Sequence, residues 1–244
     1  MRPDITIPAS TLQKAAQYVA PFALANKPRA VDVLKGVLFD LKGGALSIVA
    51  LDRMSMSVLT SQTDLGGFAD VRFVVPVKKL ADLAITPDIN VDLFVSAQHV
   101  ATQNTRVVLD RLDVSHVYPN WRDTVLNITA SGSLSFRTET MRAVITSLPP
   151  TDDQKIIIAT RFDILDLRKP IICVSVESDA IGVDVPGVVK GHPATFKCNR
   201  VFLDKILAQF TTATIATGTP YSPLRITGDV DGIEYYLMPI TGGR

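Results

Sequence analysis

The sequence is poor in the residues that build most recognisable sites. Its 244 residues hold two cysteines, three histidines and one tryptophan. Cys173 and Cys198 stand apart, so neither a disulfide framework nor a zinc cluster with paired ligand spacing can be written, and both read as small buried hydrophobes. His99, His116 and His192 are scattered without metal-ligand spacing. Charge of one sign is lacking too: 25 basic against 24 acidic residues leave a net +1, which excludes a polybasic arm or an acidic tail. No apolar run approaches the ~18 to 20 residues that cross a bilayer, and the first twenty residues alternate instead of forming a signal-peptide core. These absences point to a cytoplasmic protein with no membrane partner.

Catalytic patterns are equally absent. There is no G-x-S-x-G elbow, no Walker lysine loop and no Gly-x-Gly-x-x-Gly after a strand. Asp229, Asp231 and Gly232 faintly resemble half a calcium loop, but the glycine comes too early and the closing glutamate is missing, so a hairpin turn is the better reading. Thr151-Asp152-Asp153 reads as a solvated loop. No catalytic residue, metal ligand or cofactor is nominated, and the chain reads as a non-enzyme.

What the sequence has is apolar content and a period. Hydrophobic residues at 47% with charged residues at 20%, below the ~25% usual for soluble domains, specify a folded chain long enough for one large domain or two ordinary ones. Four segments each run from a strand-like alternation into apolar residues at i, i+3, i+4 and i+7, one face of a helix. They are Leu12, Ala15, Ala16, Val19; Val77, Leu80, Ala81, Ala84; Met141, Val144, Ile145, Leu148; and Leu203, Ile206, Leu207, Phe210. Their first members, Leu12, Val77, Met141 and Leu203, follow one another at 65, 64 and 62 residues. Start signals agree: Ser10 with Gln13 forms a capping box, Pro76 suits a first turn, and Thr138 and Asn199 are candidate N-caps. Pro21, Pro87 and Pro149 stop the first three helices.

Between helices the pattern turns to period two with turn residues at Lys42-Gly43-Gly44, Glu177-Ser178-Asp179 and Asp231-Gly232. Each period is therefore one strand, one short helix and about three strands. Two periods make a domain, which predicts an α+β protein with domains over 1–127 and 128–244 and a linker through VYPNWRDTV and ASGS. The competing arrangement is a single meander sandwich.

Opposite the apolar stripes lie Gln13, Lys14, Gln17, Lys78, Lys79, Asp82, Glu139, Arg142, Arg200, Asp204 and Lys205. Six of these are basic and three acidic, a mild positive segregation. A charged helix face is commonly only a solvated face. Helices gathered on one side of repeated units would, however, collect these cations into a surface that attracts phosphates without reading sequence.

The repeated unit and several local strings resemble a DNA sliding clamp, the polymerase processivity factor, and most of all the beta subunit of bacterial DNA polymerase III. AVDVLKGVLFDLKGGALSIVALDRMSMSV is similar to the clamp pattern of a strand, a glycine turn and a strand ending in alanine-x-aspartate. VYPNWRDTV resembles the clamp segment phenylalanine-proline-aspartate-tyrosine-arginine-arginine-valine, and YYLMPI its methionine-proline-methionine ending. Two features depart from that family: Val31 to Val33 replace a proline, and the chain has room for two domains instead of three.

The resemblance implies two clamp domains, each a duplicated unit with antiparallel sheets outside and two short helices on the inner face. Phage and eukaryotic clamps of two domains close as trimers, so a homotrimeric ring around double-stranded DNA is implied. Lys14, Lys78, Lys79, Arg142, Arg200 and Lys205 match lumen positions, with Lys27 and Arg29 as further DNA-binding candidates. DNA polymerase and clamp loader are the implied protein partners, docking short peptides into an apolar pocket between adjacent domains. The matching pocket positions are Leu51, Met54 and Met56; Pro119, Thr124 and Val125; and Tyr236, Met238, Pro239 and Ile240. Methionines suit a site that re-packs around several partners, though Met54, Met56 and Met238 also read as core fillers. The alternative function is a structural β-rich virion or assembly protein; a phage-encoded chain would work in the host cytoplasm.

Overall fold

The computed structural model describes residues 5–24, 32–62, 70–83, 90–96, 99–102, 108–110, 118–126, 128–151, 153–162, 170–176 and 182–240. Lys27, Arg29, Ala84, Pro87, His116, Asn127, Asp152 and the turn at 177–179 lie outside the described residues. The chain divides into two compact units, Met1–Pro119 and Asn120–Arg244, a division that precedes the 127/128 boundary placed from the sequence.

In the first unit β1 (Ile5–Pro8) leads into α1 (Ala9–Lys14), which continues through a π turn (Ala15–Val19) and a 3-10 turn (Ala20–Phe22). Then come β2 (Gly36–Lys42), β3 (Ala45–Leu51) and β4 (Ser55–Gln62). The second period repeats this with β5 (Val71–Pro76), α2 (Val77–Leu83), β6 (Asn90–Val95), β7 (His99–Thr102) and β8 (Val108–Asp110).

The second unit starts with α3 (Trp121–Leu126), then β9 (Gly132–Arg137), α4 (Thr138–Ser147), β10 (Lys155–Phe162), β11 (Pro170–Ser175), β12 (Val183–Val185) and β13 (Gly187–Gly191). It closes with β14 (Phe196–Asn199), α5 (Arg200–Leu207), β15 (Thr212–Thr217), β16 (Leu224–Gly228) and β17 (Ile233–Leu237).

The strands do not pair repeat by repeat. In the first unit the sheets run β1-β6-β7-β8 and β4-β3-β2-β5. The strand before each helix thus joins the three strands that follow the other helix: Ile5 stands opposite Leu93, and Gly36 opposite Pro76. The second unit repeats the exchange, with β14-β10-β11-β12 and β9-β15-β16-β17, and adds β13 on the free edge of β9. Every one of these ladders is antiparallel. Because neither repeat completes a sheet from its own strands, each unit must fold as a whole.

The apolar stripes carry the core. Leu12, Ala15, Val19 and Leu80 are buried in the first unit, where α1 packs on α2. Met141, Ile145, Leu203, Ile206 and Leu207 do the same in the second, where α4 packs on α5. A fully buried Leu or Ile contributes about 1.5 to 3 kcal/mol relative to exposure, so these few positions fix which helix face turns inward. The β2–β3 hairpin closes through Gly43 (φ 59°) and Gly44 (φ 83°), the two consecutive positive φ values a two-residue turn of this hand needs. Gly228 lies so close to Phe210 that an added Cβ would sit 2.4 Å from the ring, which in turn meets Tyr235 edge-on at 5.5 Å.

Three start signals need correction. Asn199 is the N-cap of α5, its Oδ1 accepting from Val201 N (2.9 Å) and Phe202 N (3.4 Å). Ser10, in contrast, already lies inside α1, whose N-cap is Pro8 with no side-chain cap. Pro8 leaves β1 at ψ 132° and the helix begins at once, so the Ser10–Gln13 spacing is spent within the helix. Thr138 is the first helical residue of α4 and Arg137 its N-cap; the Thr138 hydroxyl donates instead to the carbonyls of Phe210 and Thr211. Pro76 likewise ends β5, with α2 starting at Val77.

Candidate nucleic-acid interface

Each unit presents the polar side of one helix pair. In the first, Lys78 and Lys79 are exposed on α2 and Lys14 is half-buried at the end of α1. Asp82 shares α2 with the two lysines.

In the second unit Arg142, Arg200 and Lys205 are half-buried, and both arginines are committed to protein groups. Arg142 Nε lies 2.8 Å from Asp204 Oδ1 and its Nη2 3.4 Å from Oδ2, a forked pair reaching from α4 to α5. That hydrogen bond holds the Arg142 pKa above its ordinary value. Arg200 Nη1 donates to the carbonyls of Leu148 (3.4 Å) and Pro149 (3.1 Å), tying the start of α5 to the end of α4. Glu139 is exposed in the first turn of α4. Of the six helix cations expected to act alike, Lys78 and Lys79 are exposed, whereas Arg142 and Arg200 are half-buried and hydrogen-bonded to protein groups.

The candidate peptide-docking positions fall on both units. In the first, Leu51 and Met54 are half-buried around a turn organised by Asp52, whose Oδ1 accepts from Met54 N (2.7 Å) and Ser55 N (2.6 Å). Met56 is buried opposite Leu51 in the β3–β4 ladder, and Pro119 is exposed. Tyr118 beside it is buried, its hydroxyl donating to Val49 O at 3.2 Å, and burial pushes its phenol pKa well up.

In the second unit Thr124 is exposed and Val125 half-buried on α3. Met238 stands 39% exposed between the buried Leu237 and Pro239. Ile240 is pinned by its backbone, its N–H donating to Lys197 O at 2.8 Å. Tyr236 is buried, and its hydroxyl donates to Glu234, which also pairs with Arg225. Burial is the main cause that raises the Tyr236 pKa, with the Glu234 hydrogen bond next. The sequence reading missed this Arg225–Glu234–Tyr236 row. The hairpin at Asp231-Gly232 carried the signal, since it sets Arg225 opposite Tyr236.

The reading also missed α3 within the linker string. Asn120 followed by Asp123 was its signal: the Asn120 side-chain amide donates to Asp123 Oδ2 at 2.6 Å. Asp229 is a hairpin residue, its carboxylate accepting from the backbone of Thr211 and Thr212. Among the described residues no three His, Cys, Asp or Glu side chains gather into a metal site, and no helix is long and apolar enough to cross a membrane.

Neither protein-family models nor curated proteins give a match to this chain. Solved structures do. The DNA polymerase III beta subunit from Pseudomonas aeruginosa matches 96% of this chain at 16% identity and TM-score 0.78, and this chain covers 65% of it. The beta subunit from Thermotoga maritima matches 100% of the chain at 16% identity and TM-score 0.81, with 67% of its own length covered. That from Streptococcus pyogenes matches 99% at 20% identity and TM-score 0.78, with 66% covered. The chain therefore spans about two thirds of the length of these bacterial subunits. Its fold is the α+β fold of the DNA sliding clamp.

Proposed function

We propose that this chain, having the sliding-clamp fold, is one subunit of a ring that encircles duplex DNA and keeps a replicative polymerase on its template. The observation that carries this reading is the doubled exchange of strands, present in both units and matched over nearly the whole chain by clamp subunits. A ring holds DNA by topology, so each contact can stay weak and sequence-blind, and the mild positive charge of the helix faces is enough. With two units per chain, three copies close a ring of six. The role is that of a scaffold in the cytoplasm and calls for no catalytic residue.

Polymerase and clamp loader would dock short apolar peptides, and the C-terminal segment is the part of the second unit best suited to them. Met238 offers a flexible thioether at the surface on a backbone held by β17 and by the Ile240–Lys197 hydrogen bond.

The ring is tested by loading the protein onto nicked circular DNA and then linearising the circle. A clamp stays on the circle through gel filtration and is lost from the linear form, and sedimentation equilibrium gives a trimer. Equal retention on both forms, or a monomer at tens of micromolar, refutes the ring and returns the chain to a structural β-rich assembly protein.

A further inference from the structure

The contrast between the two helix pairs has a consequence for how DNA is gripped, one that rests on the clamp reading. An arginine fork matches a phosphate's two oxygens as well as it matches a carboxylate's, so the group that fills the fork decides whether phosphate can use it. On the second unit that group is Asp204, which takes both Nε and Nη2 of Arg142. The neighbouring Arg200 is occupied by the Leu148 and Pro149 carbonyls. On α2 of the first unit Lys78 is exposed and presents a compact charge, and among the described residues no carboxylate clasps it.

We propose that Asp204 attenuates DNA contact: by clasping Arg142 it converts the α4–α5 face into a weak bearing surface, leaving α2 as the stronger phosphate contact. Counterion release gives this a measurable form, because each phosphate neutralised adds about 0.9 to the slope of log K against log salt. Freed from its carboxylate, Arg142 supplies one such contact.

The second unit also contains a control. Arg161 and Asp184 form a similar ion pair at 2.6 Å between strands β10 and β12, with neither partner on a helix and Asp184 40% exposed against 37% for Asp204. Asp204→Asn and Asp184→Asn therefore change the net charge equally and remove equivalent surface pairs. Both pairs are half-exposed, so neither loss should unfold the chain; Trp121 emission and far-UV circular dichroism verify this.

The assay is fluorescence anisotropy of a short labelled duplex with the full chain from 50 to 200 mM salt. D204N is expected to bind several-fold tighter than wild type at 50 mM. That advantage should shrink about 3.5-fold by 200 mM, as one added phosphate contact requires. D184N should stay near wild type, and adding Arg142→Gln to D204N should erase the gain. Equal tightening by D204N and D184N, or a gain that survives R142Q, overturns the role of Asp204 while leaving the clamp reading standing. Absence of duplex binding by every variant and by wild type at 50 mM also overturns the role of Asp204, whereas the clamp reading falls only if circular and linear DNA retain the protein equally.

Discussion

Asn199→Ala tests whether the helix starts have been assigned to the right atoms. Asn199 Oδ1 accepts from the first free amides of α5, Val201 N at 2.9 Å and Phe202 N at 3.4 Å. Alanine leaves both amides to water at a helix end whose residues Leu203, Ile206 and Leu207 are buried. An N-cap of this kind contributes about 1 kcal/mol. For a unit of about 125 residues the unfolding entropy is roughly 0.26 kcal/mol/K, so the midpoint should fall by about 4 °C. Trp121 is the one tryptophan in the sequence, is 6% exposed and lies in the second unit, so its emission reports the melting of the unit that holds α5. Asn199→Asp keeps an acceptor at the positive end of the helix and should match wild type. Ser10→Ala, at a position that matches the cap pattern but lies inside α1, should change stability by less than about 0.5 kcal/mol by calorimetry. A midpoint unmoved by N199A, or a loss in S10A equal to that in N199A, would refute the assignment.

Lys78→Ala should lower the salt slope of duplex binding by about 0.9, and an unchanged slope would remove α2 from the DNA surface. Met238→Ala with Ile240→Ala should abolish polymerase stimulation and leave the sedimenting species intact; loss of both would make these residues core. Burial pushes the Cys198 thiol up to about 12 in the folded chain, while the unfolded thiol ionises near 9.0. Above pH 9 the unfolded chain therefore holds fewer protons than the native one, and this single group should cost about 1.4 kcal/mol of stability per pH unit up to its folded pKa. Denaturant titrations of wild type and Cys198→Ala between pH 9 and 10.5 should diverge by that slope. Parallel curves would mean that Cys198 is already accessible to water.

The helices and hairpins were legible because they are local. A stripe such as Leu203, Ile206, Leu207 and Phe210 announces its helix within eight residues, and Lys42-Gly43-Gly44 announces its turn within three. The exchange of β1 and β5 between repeats was not legible, because β5 shows the same alternation whether it pairs with the strands of its own repeat beyond α2 or with β2 of the preceding repeat. The linker helix was hidden for a different reason: six residues from Trp121 to Leu126 are too few for a period, and only the Asn120–Asp123 spacing marks it. Of the candidate site, the positions of the cations followed from the helical wheel, but their availability did not. Arg142 and Asp204 are 62 residues apart, and nothing near either one names its partner.

That division between local and long-range information bears on why a clamp fold is recoverable at 16 to 20% identity. Apolar volume in the right period is a loose requirement that many sequences meet, and cores tolerate wholesale replacement so long as pattern and volume are kept. In the ring proposed above, topological retention of DNA would relax the other half of the requirement, since a ring needs no single strong contact. Electrostatic detail is then free to differ between units of one chain, and the partnered guanidiniums of α4 and α5 in one unit and the exposed Lys78 of α2 in the other are such a difference. If the helix faces were instead required to be equally positive, neutralising Lys78 and neutralising Arg142 would weaken duplex binding alike. The geometry demands that only the lysine matter, because Arg142 gives up an aspartate, not a phosphate, when it is removed.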